Sequence, residues 1–258
     1  MKVKFHNEFQ LMRYILRNER YRLVIFLSVI LAFYAALVIP IAQENYYEAL
    51  HQIYSWNTVV LFLFALFFMN QWLVSSIIKN DFPFYIMRLK SKKEYIHLQA
   101  RLVFLSYAFQ FLLIFGLILI GLFIFQHRNF DIHPFYHFYG QYSVSNFIYC
   151  LFYLLRFFLF GGCLILITTF IYILWKDIVT VLWNILFLVC ILFFAKATFQ
   201  TSLILNPWMF FTSTVFESFF LEVFSSVVFL IIITIISFLL YKIAVHSKRV
   251  EILWKRKK

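Results

Sequence analysis

The chain of 258 residues is 64% hydrophobic and only 13% charged. A water-soluble domain of this size could not bury so much apolar surface, so a freely soluble enzyme or binding module is excluded and a lipid bilayer is the solvent that fits. The formal net charge of +12 raises nucleic acid as a partner. Its cations, however, are divided among segments that flank apolar runs and carry no nucleic-acid-binding motif, so anionic membrane lipids are the expected partner and nucleic acid is not.

The first apolar run follows about twenty mostly polar residues, not the short basic region, apolar core and small-residue cleavage site of a removable signal peptide, so it is expected to remain as a membrane anchor. Within residues 1–22, Phe5, Phe9, Met12 and Leu16 recur at helical spacing, and Arg13, Arg17 and Arg20 form a basic stripe on the adjoining face. That pattern predicts an amphipathic helix lying in the cytoplasmic interface. A solvated leader whose charges only set topology is the alternative.

A hydrocarbon core of about 30 Å needs roughly 20 apolar residues in a helix, and six stretches qualify: 23–42, 58–78, 102–125, 147–175, 178–198 and 223–241. The expected fold is therefore all-α, a polytopic membrane protein with six transmembrane helices. Of the 23 Lys and Arg, all but Arg128, Arg156 and Lys196 fall in the N-terminal arm, the 79–101 loop, the 242–258 tail or at Lys176. Basic residues near span ends stay on the cytoplasmic side, so both termini are expected in the cytoplasm of a multi-pass cell-membrane protein. No internal repeat and no Gly/Ser/Pro-rich linker divides 1–258, which reads as a single membrane domain.

Between the second and third apolar runs lies "YIMRLKSKKEY", residues 85–95, with four basic side chains in eleven positions. Asn80 and Asp81 are good N-caps and Pro83 is tolerated in a first helical turn, which predicts a short helix over 82–90. Ser91 with Glu94 three residues on is a capping box, so a second helix is expected to start there and run into the third span. On the first helix Phe84, Met87 and Arg88 fall on one side, with Tyr85 and Leu89 beside them. Apolar groups and a cation on a capped cytoplasmic knob suit docking into a cleft of another protein. Aromatics resting in the head-group layer are the alternative.

Beyond the third run, "HRNFDIHPFYH" offers His127, Asp131, His133 and His137 as metal ligands on the outer side. Pro134 breaks any regular helix there, so an ordinary wet loop is expected and no metal is assigned. Cys150, Cys163 and Cys190 lie inside apolar runs without partners at ligand spacing and read as small core residues. Arg156 is the anomaly, about nine residues into span four, where an unpaired cation costs at least ~2.5 kcal/mol. Either it pairs in the bundle interior, with Glu217 or Glu222 as candidates, or span four begins later and Arg156 sits near the outer interface. The excess length of 147–175 favours the second.

Residues 199–222 are apolar but interrupted by Gln200, Thr201, Ser202 and Asn206. Asn206-Pro207 is a helix-start signal. The segment dips in from outside and returns, which is tolerated where protein or water covers the bend, or it is an extracellular loop. No GxxxxGK[ST] is present, so any ATP must be hydrolysed by a partner. A serine nucleophile elbow, an HExxH motif and the paired glutamates of intramembrane CAAX proteases are also missing, so the chain is not expected to be an enzyme.

Six spans with both ends inside, an amphipathic N-terminal helix and a "YxxRxxSxxxY" loop (Tyr85, Arg88, Ser91, Tyr95) after span two resemble the permease subunits of ABC-2-type exporters of Gram-positive bacteria. The residue-level likeness covers about fifteen positions. It implies that Phe84, Tyr85, Met87, Arg88 and Leu89 form a coupling helix seated in a groove of a cytoplasmic ABC ATPase dimer, with Asp81, Ser91 and Glu94 capping the loop. It implies a re-entrant element at Asn206, Pro207, Glu217 and Glu222, and a second permease copy or a sister permease. ATP and Mg²⁺ would be bound by the ATPase, with no cofactor in this chain. Members commonly export amphipathic or antimicrobial peptides; lipid-linked glycans and small drugs stay open. The rival class is a non-transporting membrane sensor or assembly factor whose basic loop binds a regulatory partner.

Overall fold

The computed structural model describes residues 2–38, 49–50, 53, 57–81, 89, 91–126, 134–137, 140–175 and 218–247. They form α1 (Lys2–Arg17), α2 (Glu19–Val38), α3 (Asn57–Asp81), α4 (Lys92–Gln126), strands β1 (Pro134–His137) and β2 (Gly140–Ser145), α5 (Asn146–Leu174) and α6 (Phe219–His246). Five of the helices are long and apolar enough to cross a membrane: α2, α3, α4, α5 and α6. The chain is a multi-pass membrane protein by that measure. The expected span 178–198 lies outside the described residues.

Polar side chains set where the helices begin. Asn18 closes α1 with its N–H on the Tyr14 and Ile15 carbonyls, and its Oδ1 accepts from the Arg20 N–H at 3.0 Å to open α2. Ser91, Ser145 and Ser218 each accept from the backbone N–H three residues on, at 3.3, 3.4 and 3.3 Å. These bonds satisfy donors that have no intrahelical acceptor. The first span consequently starts at Glu19 and the last at Phe219, several residues before the apolar runs themselves. Helix α4 continues unbroken from Lys92 through the third span, as the Ser91–Glu94 pattern predicts.

Two features depart from the sequence expectation. The described part of the connection between α4 and α5 is an antiparallel hairpin, with Pro134 opposite Ser145 and His137 opposite Gly140, so the chain is not wholly helical. Within α1, the face that packs is Leu11 and Ile15, both buried, with Met12 and Leu16 partly buried beside them, whereas Phe9 is 67% exposed. Every third or fourth residue of α1 is apolar, so two overlapping stripes satisfy the same periodicity and only docking on the bundle selects between them.

The core is an aromatic plug where α3, α4 and α5 meet. Phe64 and Phe67 of α3 contact Phe157 and Phe160 of α5 and Tyr107 and Phe111 of α4, at ring-centroid distances of 4.9–6.4 Å. Glycine makes the α4–α5 approach possible. A Cβ at Gly162 would stand 2.9 Å from the Phe104 ring, and one at Gly161 would collide with the Tyr107 hydroxyl, which donates to the Phe158 carbonyl.

The contacts fix helix directions. Phe67 meets Phe111 while Asn70 meets Ser106, so α3 and α4 are antiparallel. Phe111 meets Phe157 while Phe104 lies against Gly162, so α4 and α5 are antiparallel too. Between α5 and α6 the partners advance together. Tyr149 touches Phe219, Phe160 touches Phe229 and Phe170 touches Tyr241, with ring centroids 6.1, 6.0 and 5.8 Å apart. Thus α5 and α6 run parallel, although they are consecutive among the described helices. The described helices end with the α6 C-terminus at the same end of the bundle as the α4 N-terminus, where His97 meets Tyr241.

Candidate functional site

Two buried polar assemblies interrupt the apolar bundle. The first centres on Arg156, which is 2% exposed and ten residues, about 15 Å, along α5 from its first residue. Its Nη1 donates to Glu222 Oε1 at 2.6 Å and lies 3.4 Å from Ser226 Oγ. Tyr149 donates its hydroxyl to the same Glu222 oxygen at 3.0 Å, and Ser226 spends its own proton on the Glu222 carbonyl at 2.7 Å. The rings of Phe152 and Tyr153 stand 5.3 and 5.0 Å from the guanidinium carbon, within cation–π range.

Of the two expectations for Arg156, the pairing with Glu222 in the bundle interior is the one this arrangement shows. Span four does begin early, at Asn146, but the cation turns inward and is paired. Glu222 is the partner, yet it belongs to the first turn of α6, because Ser218 caps that helix four residues earlier. A carboxylate there also faces the positive end of the α6 dipole. Neither charge would be tolerated alone when so fully buried.

The second assembly is a seam joining α2, α3 and α4. Tyr21 and Ser106 share a hydroxyl contact of 2.8 Å, Ser106 donates to Asn70 Oδ1 at 2.6 Å, and Asn70 Nδ2 donates to Gln110 Oε1 at 2.6 Å and to the Ser106 carbonyl at 3.2 Å. Gln110 Nε2 then donates to Ser28 Oγ at 2.8 Å, and Ser28 donates to the Val24 carbonyl. Each of these side chains is buried, so the seam fixes the register of three helices at once. Sequence reasoning missed it. The available signal was Ser106 and Gln110 spaced by four on α4, opposite a lone Asn70 in an apolar run.

The remaining candidates are placed as follows. Phe84, Tyr85, Met87 and Arg88 lie outside the described residues, as do Asn206, Pro207 and Glu217. Leu89 is described and packs into the chain's own core, so its side chain anchors the α3–α4 connection from within. Asp81 is the last residue of α3, and Ser91 Oγ accepts from the Glu94 N–H at the start of α4. His127, Asp131 and His133 are outside the described residues, while His137 ends β1. Among the described residues no group of three or more His, Cys, Asp or Glu could hold a metal ion. Cys150 is buried, Cys163 contacts Thr234 at 3.8 Å, and Cys190 is outside the described residues.

Comparison with protein-family models, curated proteins and solved structures returns no match. The functional reading therefore rests on the chain's own residues.

Proposed function

We propose that this chain is the permease subunit of an ATP-driven exporter of the ABC-2 type, which moves a hydrophobic or amphipathic substrate, foremost a peptide, out of the cell. A separate cytoplasmic ATPase dimer supplies the energy, and a second permease copy or a sister chain completes the path. The observation that carries this reading is the connection between α3 and α4. It is short and cation-rich, anchored by Leu89 and Ser91, and it joins the two helices that the Asn70–Ser106–Gln110 seam locks to α2. A push on the 82–90 segment would reach the whole α2–α3–α4 unit rather than bend one helix, because the seam leaves those helices no independent register.

The parallel course of α5 and α6 supports the six-crossing form of this reading. The last residue of α5 and the first of α6 lie at opposite ends of the parallel pair, and a further crossing between them, of the kind expected at 178–198, is part of this proposal. An even number of crossings, with the basic segments at one end, supports cytoplasmic termini. The Arg156–Glu222 clamp supports a transport role for α5 and α6, since buried charges within membrane spans are costly and cluster at functional interfaces. Re-entrance of 199–222 remains part of the proposal only for Asn206, Pro207 and Glu217, because Glu222 belongs to α6.

The test is co-purification. The tagged native chain extracted in mild detergent should bring down an ATPase, and Arg88→Glu should abolish the association while leaving the yield of folded permease unchanged. A chain that stays alone at any ATPase concentration contradicts the proposal and favours the sensor or assembly-factor class.

A further inference from the structure

The outward face of α4 changes character at one point along its length. Lys93, His97 and Arg101 are exposed at four-residue spacing; the same face then continues with exposed Leu105, Phe109 and Leu112. Residues at these intervals lie one above another on a helix, so a cationic stretch runs directly into an apolar one. The cationic stretch is built rather than incidental. His97 Nε2 and the Tyr241 hydroxyl of α6 are 2.9 Å apart, and the rings stand 5.2 Å apart. Arg101 and Lys93 are the charged neighbours of His97. The residue after Tyr241, Lys242, is exposed and folds over the Phe238 ring at 4.8 Å.

We infer that the α4–α6 junction formed by His97, Arg101, Tyr241 and Lys242, flanked by Lys93, binds the headgroup of an anionic phospholipid, whose acyl chain lies along Leu105, Phe109 and Leu112. The chemistry is that of a phosphodiester. Arg101 and Lys242 supply charge-assisted donors from two helices, and the Tyr241–His97 pair offers a hydroxyl and a ring nitrogen between them. A lipid fits better than a protein segment because the cations stand at the head of an exposed apolar face, where a bilayer's own geometry places a phosphate above acyl chains. Bound lipid would bridge α4 to α6, which otherwise meet mainly through this junction and a small apolar cluster around Ile96, Phe170 and Ala244. The site requires only that these helices cross a membrane and is independent of the transport proposal.

The experiment uses the full chain purified in mild detergent and exposed to phosphatidylglycerol, to phosphatidylcholine or to inorganic phosphate. Native mass spectrometry counts retained lipid and a melting curve reads stabilisation. Phosphatidylglycerol should be retained over phosphatidylcholine and should raise the melting temperature, whereas inorganic phosphate should do neither. The Lys93→Gln/Arg101→Gln/Lys242→Gln variant should lose the preference, by roughly fivefold per cation removed, or about 1 kcal/mol each. An Arg13→Gln/Arg17→Gln variant should keep it. The inference is overturned if the wild type shows no preference, if the triple variant retains it, if the N-terminal control loses it equally, or if inorganic phosphate stabilises as well as the lipid does. Should the triple variant fail to fold, Arg101→Gln alone is read by the same criteria.

Discussion

Arg156 and Glu222, sixty-six positions apart in sequence, meet at 2.6 Å with both side chains 1% exposed, and so fasten two parallel helices near one end of their contact. The pair draws Tyr149 and Ser226 into one hydrogen-bonded group. Removal of either charge would strand the other in a dry interface. Either Arg156→Met or Glu222→Leu should cost about 3–5 kcal/mol, and the double variant should recover most of that, because an apolar pair of similar volume is close to neutral at buried sites. Thermal unfolding in detergent measures it; equal additive losses in the double variant would contradict the coupling.

The polar seam predicts a different pattern. Asn70→Leu removes the partner of both Ser106 and Gln110, and should destabilise by on the order of 1–2 kcal/mol, as expected for interhelical hydrogen bonds in lipid. Gln110→Leu should cost less, since it frees only Asn70 Nδ2 and Ser28, each of which keeps another bond. Unfolding of the purified variants ranks them, and the reverse order would show that the seam does not act through Asn70.

Close packing at Gly161 gives a compensable lesion. Gly161→Ala should destabilise by about 1–3 kcal/mol, because its methyl group meets a Tyr107 ring held in place by its bond to Phe158. Adding Tyr107→Phe removes the colliding oxygen and should restore part of the loss. If Gly161→Ala is silent, the α4–α5 distance is not limited there.

The parallel course of α5 and α6, taken with the proposed cytoplasmic termini, predicts sidedness. A cysteine placed at Ser218 should react with a membrane-impermeant maleimide added outside intact cells, and one placed at Trp175 should react only after permeabilisation. Labelling of both from the same side would contradict an odd number of crossings in between.

Much of this was legible in the chain. Apolar runs of membrane length located the five described spans, and Ser91 with Glu94 announced the start of α4. Arg156 stood out because nothing near it in sequence could neutralise it, and Glu222 was one of the two acids named. Its helix was misjudged because hydropathy begins at 223, whereas the boundary is set by a single serine side chain at 218. The packed face of α1 was hidden because Phe9 and Leu11 satisfy the same periodicity equally well. The Asn70–Ser106–Gln110 seam was hidden for another reason: window-averaged hydropathy dilutes one amide among many isoleucines and phenylalanines, and only tertiary contact brings three helices' polar groups to one level.

Position 88 offers the most direct test of the transport proposal. A photo-crosslinking amino acid placed there in living cells, in the full-length chain, should trap one cytoplasmic ATPase, with the adduct lost when the ATPase is deleted. Adducts with lipid alone, or reaction at position 88 with a reagent confined to the cell exterior, would contradict the assignment.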